Sequence, residues 1–355
     1  MIAEMNSMRV TRTPHSRVQE VDWSNLGFGK VFSDHMIVIE YHNGSWQTPE
    51  IKPYGPIPFS PAISALHYGQ ALFEGMKAYR NEKNEAFVFR PEENAKRLNA
   101  SAERLCMPTI PNELFLSSLH ALLQIDKSWI PTGPGEALYI RPHMFAIDEY
   151  VGVKPSDSYL FVIFTCPVGA YYTSELKVKV EKTYTRAANG GTGSAKAAGN
   201  YAAALLPTKK AQEEGFQQLL WTDAKTHEYL EESGTMNVIF RKGNALITPE
   251  LTDSILSGVT RNSVLQLARD WGYEVLEKRI SVQELEEGLR AGEIQEAFGA
   301  GTAATIAPIR EIQIGENLYS LQPWNSWEFA PKVSNYLDEL KRGLTEDKHN
   351  WNFAI

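Results

Sequence analysis

A lysine attacks carbonyl carbon only as the neutral amine, and poor solvation of its ammonium favours that form. Lys196 has such a setting, in Gly190-Gly191-Thr192-Gly193-Ser194-Ala195-Lys196-Ala197-Ala198-Gly199-Asn200-Tyr201. Small residues crowd both sides of it, and glycines let a flat ligand approach the backbone closely. The chemistry this suits is nucleophilic capture of an aldehyde or ketone. Taken alone, the run reads equally as a flexible surface loop, because Gly/Ala runs are common in loops.

Further motifs shift that balance. Downstream come Glu231-Glu232-Ser233-Gly234-Thr235-Met236-Asn237, then Gly258-Val259-Thr260-Arg261, then Gly299-Ala300-Gly301-Thr302-Ala303. Gly258-Val259-Thr260 opens a helical pattern, and free N–H groups at a helix N-terminus with a threonine hydroxyl suit an anion such as phosphate. Many Gly-x-Thr turns only cap helices, so this motif is weak by itself. Gly301-Thr302-Ala303 offers a second backbone nest. Upstream stand Ala71-Leu72-Phe73-Glu74-Gly75-Met76-Lys77-Ala78-Tyr79 and Tyr139-Ile140-Arg141-Pro142. Six motifs in this order, from about Leu66 to the C-terminus, make the chain closely resemble the fold-type IV pyridoxal-phosphate enzymes and, within them, the branched-chain amino acid aminotransferases.

The resemblance implies roles residue by residue. Lys196 would form the Schiff base with pyridoxal 5'-phosphate and shuttle a proton between substrate Cα and cofactor C4′. Glu232 would keep the pyridine nitrogen protonated. Adjacent residues of a strand point to opposite faces, so only one of Glu231 and Glu232 can face the cofactor, and Glu231 is expected to be solvated. Tyr201 would donate to the cofactor's O3′. Gly258, Val259, Thr260, Thr302 and Arg97 would hold the phosphate, with Lys96, Arg90 and Arg104 solvated or paired. The backbone around Thr302 and Ala303 would bind the substrate α-carboxylate. Phe73, Tyr139, Tyr171 and Thr235 resemble the walls of a branched side-chain pocket, and Tyr68 and Arg141 the groups that receive the second carboxylate of glutamate. Arg141 falls two residues beyond Tyr139, on the same face of one strand.

The implied activity is exchange of an amino group between L-leucine, L-isoleucine or L-valine and 2-oxoglutarate. The implied assembly is a homodimer in which a partner loop, resembled by Val151-Gly152-Val153, closes the pocket. Other fold-type IV enzymes, a D-amino acid aminotransferase or an aminodeoxychorismate lyase, share Lys196, Glu232 and the phosphate site, and differ at Phe73-Glu74-Gly75 and Tyr139-Ile140-Arg141. A non-catalytic homologue is a further alternative, disfavoured by the intact Lys196 and Glu232.

Composition bounds these readings. The 355 residues suffice for two domains, and 43% hydrophobic with 22% charged residues is ordinary for a soluble globular protein. A net charge of −8 argues against nucleic acid as the main partner. The beginning of the chain lacks a signal-peptide apolar core, and no apolar run approaches the length of a membrane helix, so a cytoplasmic location is expected. Cys106 and Cys166 lack metal-ligand spacing and read as reduced, buried thiols, and the eight histidines form no metal pair. Animal members of the family carry a Cys-x-x-Cys where this chain has Ala304-Thr305-Ile306-Ala307, so no thiol switch is expected there.

The elements that must position these residues follow from periodicity and turn chemistry. Strands are predicted over 32–41, 76–80, 86–90, 137–140, 159–166, 178–184, 216–222, 237–241 and 245–248, and 294–298 leads into the last glycine motif. Helices are predicted over 62–69, from Pro91, over 112–129, from Asn200 to 215 with a kink or restart at Pro207, over 260–272, over 281–287 with Ser281 and Glu284 as a capping box, and over 329–344. The segment 52–61 reads as a loop. Interleaved strands and helices imply an α/β or α+β fold. The resemblance divides it into a smaller α/β domain over 1–169, a connecting loop over 170–180, and a larger barrel-like domain over 181–355 carrying the lysine, with the active site between them.

Overall fold

The computed structural model describes residues 8–169 and 174–355. They form an α+β fold of two compact units. The first lies within Met1–Tyr171, together with Ala195–Gly199 and Asp338–Ile355; the second comprises the described residues of Tyr172–Ser194 with Asn200–Leu337.

The first unit is built on a largely antiparallel sheet. Its main path runs Arg9–Val10, Glu50–Pro53, His35–His42, Tyr159–Val168, Ala137–Ala146, Met76–Arg80, Ala86–Phe89 and Asn352–Ala354. The long strand Ala137–Ala146 shows why one face is core and the other is not. Leu138, Ile140, Met144 and Ala146 join the main apolar cluster with Leu98, Ala102, Phe115, Leu119 and Leu122 of the helices Pro91–Arg104 and Asn112–Ile125. Tyr139, Arg141, His143 and Phe145 alternate with them and take the opposite face. Pro91 starts its helix as predicted, with Arg90 turned into left-handed backbone (φ 51°) before it. The next helix stops at Ile125, short of the predicted Trp129, and a single 3₁₀ turn, Lys127–Trp129, brings the Trp129 indole N–H to Asp34 Oδ2 at 2.9 Å. Ala195–Gly199 joins this unit through the bridge between Leu72 and Ala197, and the C-terminal segment through the pairing of Asn352–Ala354 with Phe87–Phe89.

The second unit contains a closed sheet. Around the ring run Leu230–Ser233, Gln218–Thr222, Leu176–Val180, Thr305–Ile314, Glu296–Gly301 and Met236–Lys242, and the last pairs back to the first through Glu232 with Asn237 and Ser233 with Met236. Ala245–Thr248 and Glu274–Glu277 extend the sheet beyond the ring. Val282–Arg290 is a helix capped as its sequence suggests, the Ser281 hydroxyl accepting from Glu284 N at 2.9 Å.

Several elements differ from their sequence reading. The predicted loop 52–61 starts two residues late: Lys52 and Pro53 still belong to the strand Glu50–Pro53, because its partner His35–His42 supplies bonds that the prolines alone do not exclude. Thr305–Ile314 escaped notice because Arg310, Glu311 and Gln313 interrupt its apolar alternation. Ala198–Glu213 runs through Pro207 without a break, so Asn200 lies inside it instead of capping it, bonding back to Thr192. Cys106 is exposed, not buried: it follows the helix Pro91–Arg104 in left-handed backbone (φ 53°), where the chain turns away at the surface. Cys166 is buried, and burial pushes its thiol up to about 11. Among the described residues, no helix is long and apolar enough to cross a membrane, and no group of three or more His, Cys, Asp and Glu side chains could hold a metal ion.

Candidate active site

In the first unit the lysine segment is clamped by backbone bonds. Lys196 N–H donates to the Ser101 hydroxyl at 2.9 Å, and Lys196 C=O accepts from Phe73 N at 3.2 Å. These bonds hold the half-buried side chain with Nζ 5.1 Å from the centre of the Phe73 ring. Beside Phe73, Glu74 is fully buried and surrounded by donors. Arg97 Nε and Nη2 grip its two oxygens at 2.7 and 2.9 Å, and Asn94 Nδ2 adds a bond of 2.7 Å. Burial pushes this carboxyl up, but the charge and fork of Arg97, the charge of Lys196 and the Asn94 bond outweigh it and hold Glu74 below the ordinary carboxylate range. Arg97, expected to serve a phosphate, thus commits two of its nitrogens to a buried carboxylate.

On the sheet face away from the helices, Arg141 Nη2 donates to the Tyr139 hydroxyl at 2.9 Å, and its guanidinium carbon sits 4.3 Å from the Phe73 ring centre. A cation thus lies against two aromatic walls. Arg141 Nε is buried with no hydrogen-bond partner among the described residues. Gly75 is required here, since a Cβ at that position would meet the Tyr139 hydroxyl oxygen at 2.3 Å. His143 continues the row; burial, reinforced by the Arg141 charge, lowers it to about 4, so it is neutral at physiological pH. Tyr68 ends the short helix Ser64–Tyr68 and is exposed, as are Val151 and Val153. Tyr171 lies outside the described residues.

In the second unit the centre is Glu232. It is buried, its Oε1 accepts from Leu256 N at 2.8 Å and from Asn237 Nδ2 at 3.3 Å, and its Oε2 lies 3.1 Å from Arg186 Nη2. Such a donor set stabilises the ionised form. Glu231 is also buried, which corrects the expectation of a solvated side chain. All four residues of Leu230–Ser233 are buried, because this strand of the closed ring is covered on both faces. The Ser254 hydroxyl donates to Glu231 Oε1.

The helix Val259–Asp270 begins directly after Gly258, with Thr260 buried in its first turn. A Cβ on Gly258 would meet Asn237 Oδ1 at 2.0 Å, so the glycine lets the helix start close beneath the side chain that also serves Glu232. Thr302 and Ala303 lie half-buried between the strands Glu296–Gly301 and Thr305–Ile314. The glycines before them make room for Met236, whose Cε would lie 2.7 Å from a Cβ on Gly299. Thr235 is exposed, next to Gly234 in left-handed backbone (φ 58°), and Tyr201 is half-buried in the helix Ala198–Glu213.

The sequence reading missed Arg186, which holds Glu232, and the roles of Glu74 and Asn94 in holding Arg97. Arg186 had a faint signal, ten positions before Lys196. Glu74 sat within a quoted motif but carried no chemistry until its burial was known.

Taken unit by unit, the donors have the chemistry pyridoxal phosphate calls for: a half-buried lysine in the first, and in the second a buried, well-bonded glutamate of the kind a protonated ring nitrogen needs and a helix N-terminus of the kind that binds phosphate.

Comparison with known proteins agrees with this chemistry. The family model of the class IV amino-transferases matches residues 71–312. "Branched-chain-amino-acid transaminase 1" of Bacillus subtilis (strain 168) is 42% identical over 342 residues, which is 95% of this chain and 96% of that one. A branched-chain aminotransferase crystal structure from the thermophilic archaeon Thermoproteus uzoniensis, with norvaline, superposes at a TM-score of 0.74 and 26% identity, covering 90% of this chain and 99% of the other. The branched-chain amino acid aminotransferase of T.th., complexed with N-(5'-phosphopyridoxyl)-L-glutamate, superposes at a TM-score of 0.69 and 25% identity, covering 89% of this chain and 97% of the other.

Proposed function

The chain belongs to the class IV amino-transferases, and from that premise we propose that it transfers an amino group between L-leucine, L-isoleucine or L-valine and 2-oxoglutarate with pyridoxal 5'-phosphate as cofactor. The observation that carries this reading is Arg141 seated against Phe73 and Tyr139. Leucine and glutamate must occupy one pocket in turn. A purely apolar pocket rejects glutamate, because an unpaired buried charge costs several kcal/mol. A purely cationic pocket leaves its own charge unsolvated when leucine binds. An arginine stacked on aromatic faces answers both demands. Its charge is partly satisfied by ring and hydroxyl when leucine binds, and its planar fork takes a carboxylate when glutamate binds.

The remaining roles follow from the same chemistry. Pyridoxal phosphate, when bound, supplies the electron sink for the reaction. Lys196 holds the cofactor, takes the proton from substrate Cα, and returns it on the other side of the exchange. Glu232, held by Leu256 N–H, Asn237 and Arg186, would keep the proton at the cofactor's ring nitrogen. Tyr201 orients the ring through its O3′. Gly258, Val259, Thr260 and Thr302 bind the phosphate with Arg97, whose Nε and Nη2 stay with Glu74. Backbone N–H groups around Thr302 and Ala303 take the substrate α-carboxylate. Phe73, Tyr139, Tyr171 and Thr235 wall the side-chain pocket, and Tyr68 assists Arg141.

Residues 1–169 supply the substrate side and 170–180 link them to the domain within 181–355, apart from the segments Ala195–Gly199 and Asp338–Ile355 that pack with the first unit, and the protein works in the cytoplasm as a homodimer. The exposed Tyr150, Val151 and Val153 support a role for that loop in contacting a second copy.

The test is a set of half-reactions on the purified protein with a panel of L- and D-amino acids, read from the cofactor spectrum. The expected result is turnover of L-leucine, L-isoleucine, L-valine and L-glutamate. Turnover of D-amino acids alone, or of none, overturns the reading.

A further inference from the structure

Glu231 and Glu232 are adjacent, both buried, and share one arginine. Their surroundings differ. Glu232 has Leu256 N–H, Asn237 and Arg186 Nη2 around its two oxygens. Glu231 has the Ser254 hydroxyl on Oε1, while its Oε2 is buried with no hydrogen-bond partner among the described residues. Arg186 in turn donates through Nη2 to the Ser254 carbonyl, and its Nε is likewise buried without a partner among the described residues. Ser254 therefore touches both side chains, its hydroxyl on Glu231 and its carbonyl on Arg186.

We propose that Glu231 is a positioning residue: while it carries a proton, Arg186 stays with Glu232, and when that proton leaves, the new carboxylate draws on Arg186 and loosens the hold of Glu232 on the cofactor ring. This rests on the reading that Glu232 faces the ring nitrogen of bound pyridoxal phosphate.

One guanidinium cannot offset two buried carboxylates, so the proton goes to the carboxyl with fewer donors. Burial pushes Glu231 up, the Ser254 bond and the Arg186 charge pull it part of the way back, and the charges of Glu232 and Asp223 push it up again, to about 7 with all of them acting. Arg261, buried and held by Glu277, is the further charged group coupled to Glu232. Once Glu231 ionises, its unpartnered Oε2 and the unpartnered Arg186 Nε are the complementary atoms left over in the cluster. Any rotation of Arg186 toward Oε2 weakens the 3.1 Å contact to Glu232.

The test uses the full-length holoenzyme and follows the unfolding midpoint from about pH 4.5 upward, and the rate at which pyridoxal phosphate is lost on dilution between about pH 6 and 8.5. Wild-type loss of cofactor should quicken by about tenfold across that range, the change expected when a contact is coupled to one ionisation. Glu231→Gln, an uncharged mimic of the protonated acid, should hold the slow rate throughout. It should also remove the fall in unfolding midpoint that the wild type shows when the midpoint is followed from about pH 4.5 up to the folded value of about 7, since between the unfolded and folded values only the unfolded chain has released this proton. Ser254→Ala, which removes a bond favouring the ionised form, should move the transition to higher pH. A structural defect alone would not shift that midpoint. An unchanged pH transition in Glu231→Gln overturns the proposal, as does a loss of the stability transition with the cofactor transition intact. Glu232→Gln separates the two readings. If it releases cofactor no faster than wild type, the role of Glu232 fails. If it releases cofactor fast while Glu231→Gln retains the wild-type transition, only the role of Glu231 fails.

Discussion

Two buried glutamates, one in each unit, sit in opposite electrostatic settings. Glu74 meets more positive charge than it needs: the fork of Arg97, the charge of Lys196 and the amide of Asn94. Glu231 meets less: one serine hydroxyl, and an arginine already engaged by Glu232. Both side chains are nearly or wholly shielded from water. Burial pushes both upward, yet Glu74 ends below the ordinary range and Glu231 near 7. Depth alone does not set a carboxyl's charge; the count and geometry of donors decide it. The first unit thus has an anchor for Arg97 that keeps its charge below the ordinary carboxylate range, and the second a carboxyl that changes charge near neutrality.

The largest effect should come from the lysine whose charge Glu74 senses. Lys196→Ala should lower turnover by about 10³-fold or more, the scale of losing an acid–base group together with covalent capture. Mass spectrometry after borohydride reduction should find no cofactor attached at this position. Near-wild-type turnover would remove Lys196 from the chemistry and leave Glu74 as the anchor of an ordinary ion pair.

Glu74→Ala tests the first half of the contrast directly. It leaves Arg97 without its partner in a nearly closed setting, and should destabilise the fold by about 3–5 kcal/mol in urea titrations. The pH dependence has a definite sign. The folded value of Glu74 is depressed, so its contribution is present above the unfolded carboxylate value and is lost as pH falls through the folded one. Wild type should therefore lose stability below about pH 4.5 more steeply than Glu74→Ala does. Parallel acid limbs would show that Glu74 is not the group that titrates.

Arg141→Ala should weaken the glutamate and 2-oxoglutarate half-reaction by about 2–4 kcal/mol, the scale of a lost charge-assisted pair, and the leucine half-reaction by far less. Single-turnover kinetics on each half separate the cases. Equal losses would mean that Arg141 supports the fold or the cofactor and does not distinguish the substrates.

On the second unit, Gly258→Ala drives a Cβ into Asn237 Oδ1. That side chain cannot yield without disturbing its bonds to Leu256 C=O and Glu232, so a cost of about 1–3 kcal/mol is expected, the scale of overpacking. Cofactor affinity should weaken along with stability. Loss of stability at unchanged cofactor affinity would detach this helix start from the phosphate.

The smallest effect concerns Cys106, which is exposed at the surface. Cys106→Ser should change stability by less than about 0.5 kcal/mol and leave activity unaltered, and mild peroxide should cause no reversible inactivation of the wild type. Reversible loss of activity in the wild type, absent from Cys106→Ser, would make this thiol a regulatory one.

Local chemistry, order along the chain and the family resemblance were enough to single out Lys196, Glu232, the Gly258-Val259-Thr260 turn and the row Tyr139–Arg141 as candidates, because each belongs to a short motif whose residue types limit what it can do. Periodicity likewise indicated the helix from Pro91, the capped helix after Ser281 and the strands Met76–Arg80 and Ala86–Phe89, since turn and cap preferences act within a few residues. Tertiary structure decided what depends on distant partners. Closure of the sheet through Glu232 and Asn237 covers Leu230–Ser233 on both faces and buries Glu231, which strand alternation alone assigned to solvent. Arg97 spends two nitrogens on Glu74, 23 residues away, and Arg186 reaches a glutamate 46 positions downstream. Charge state follows the same division. A sequence names the titratable groups, but whether each keeps its proton depends on desolvation and donor count, quantities that exist only once chain segments far apart have packed together.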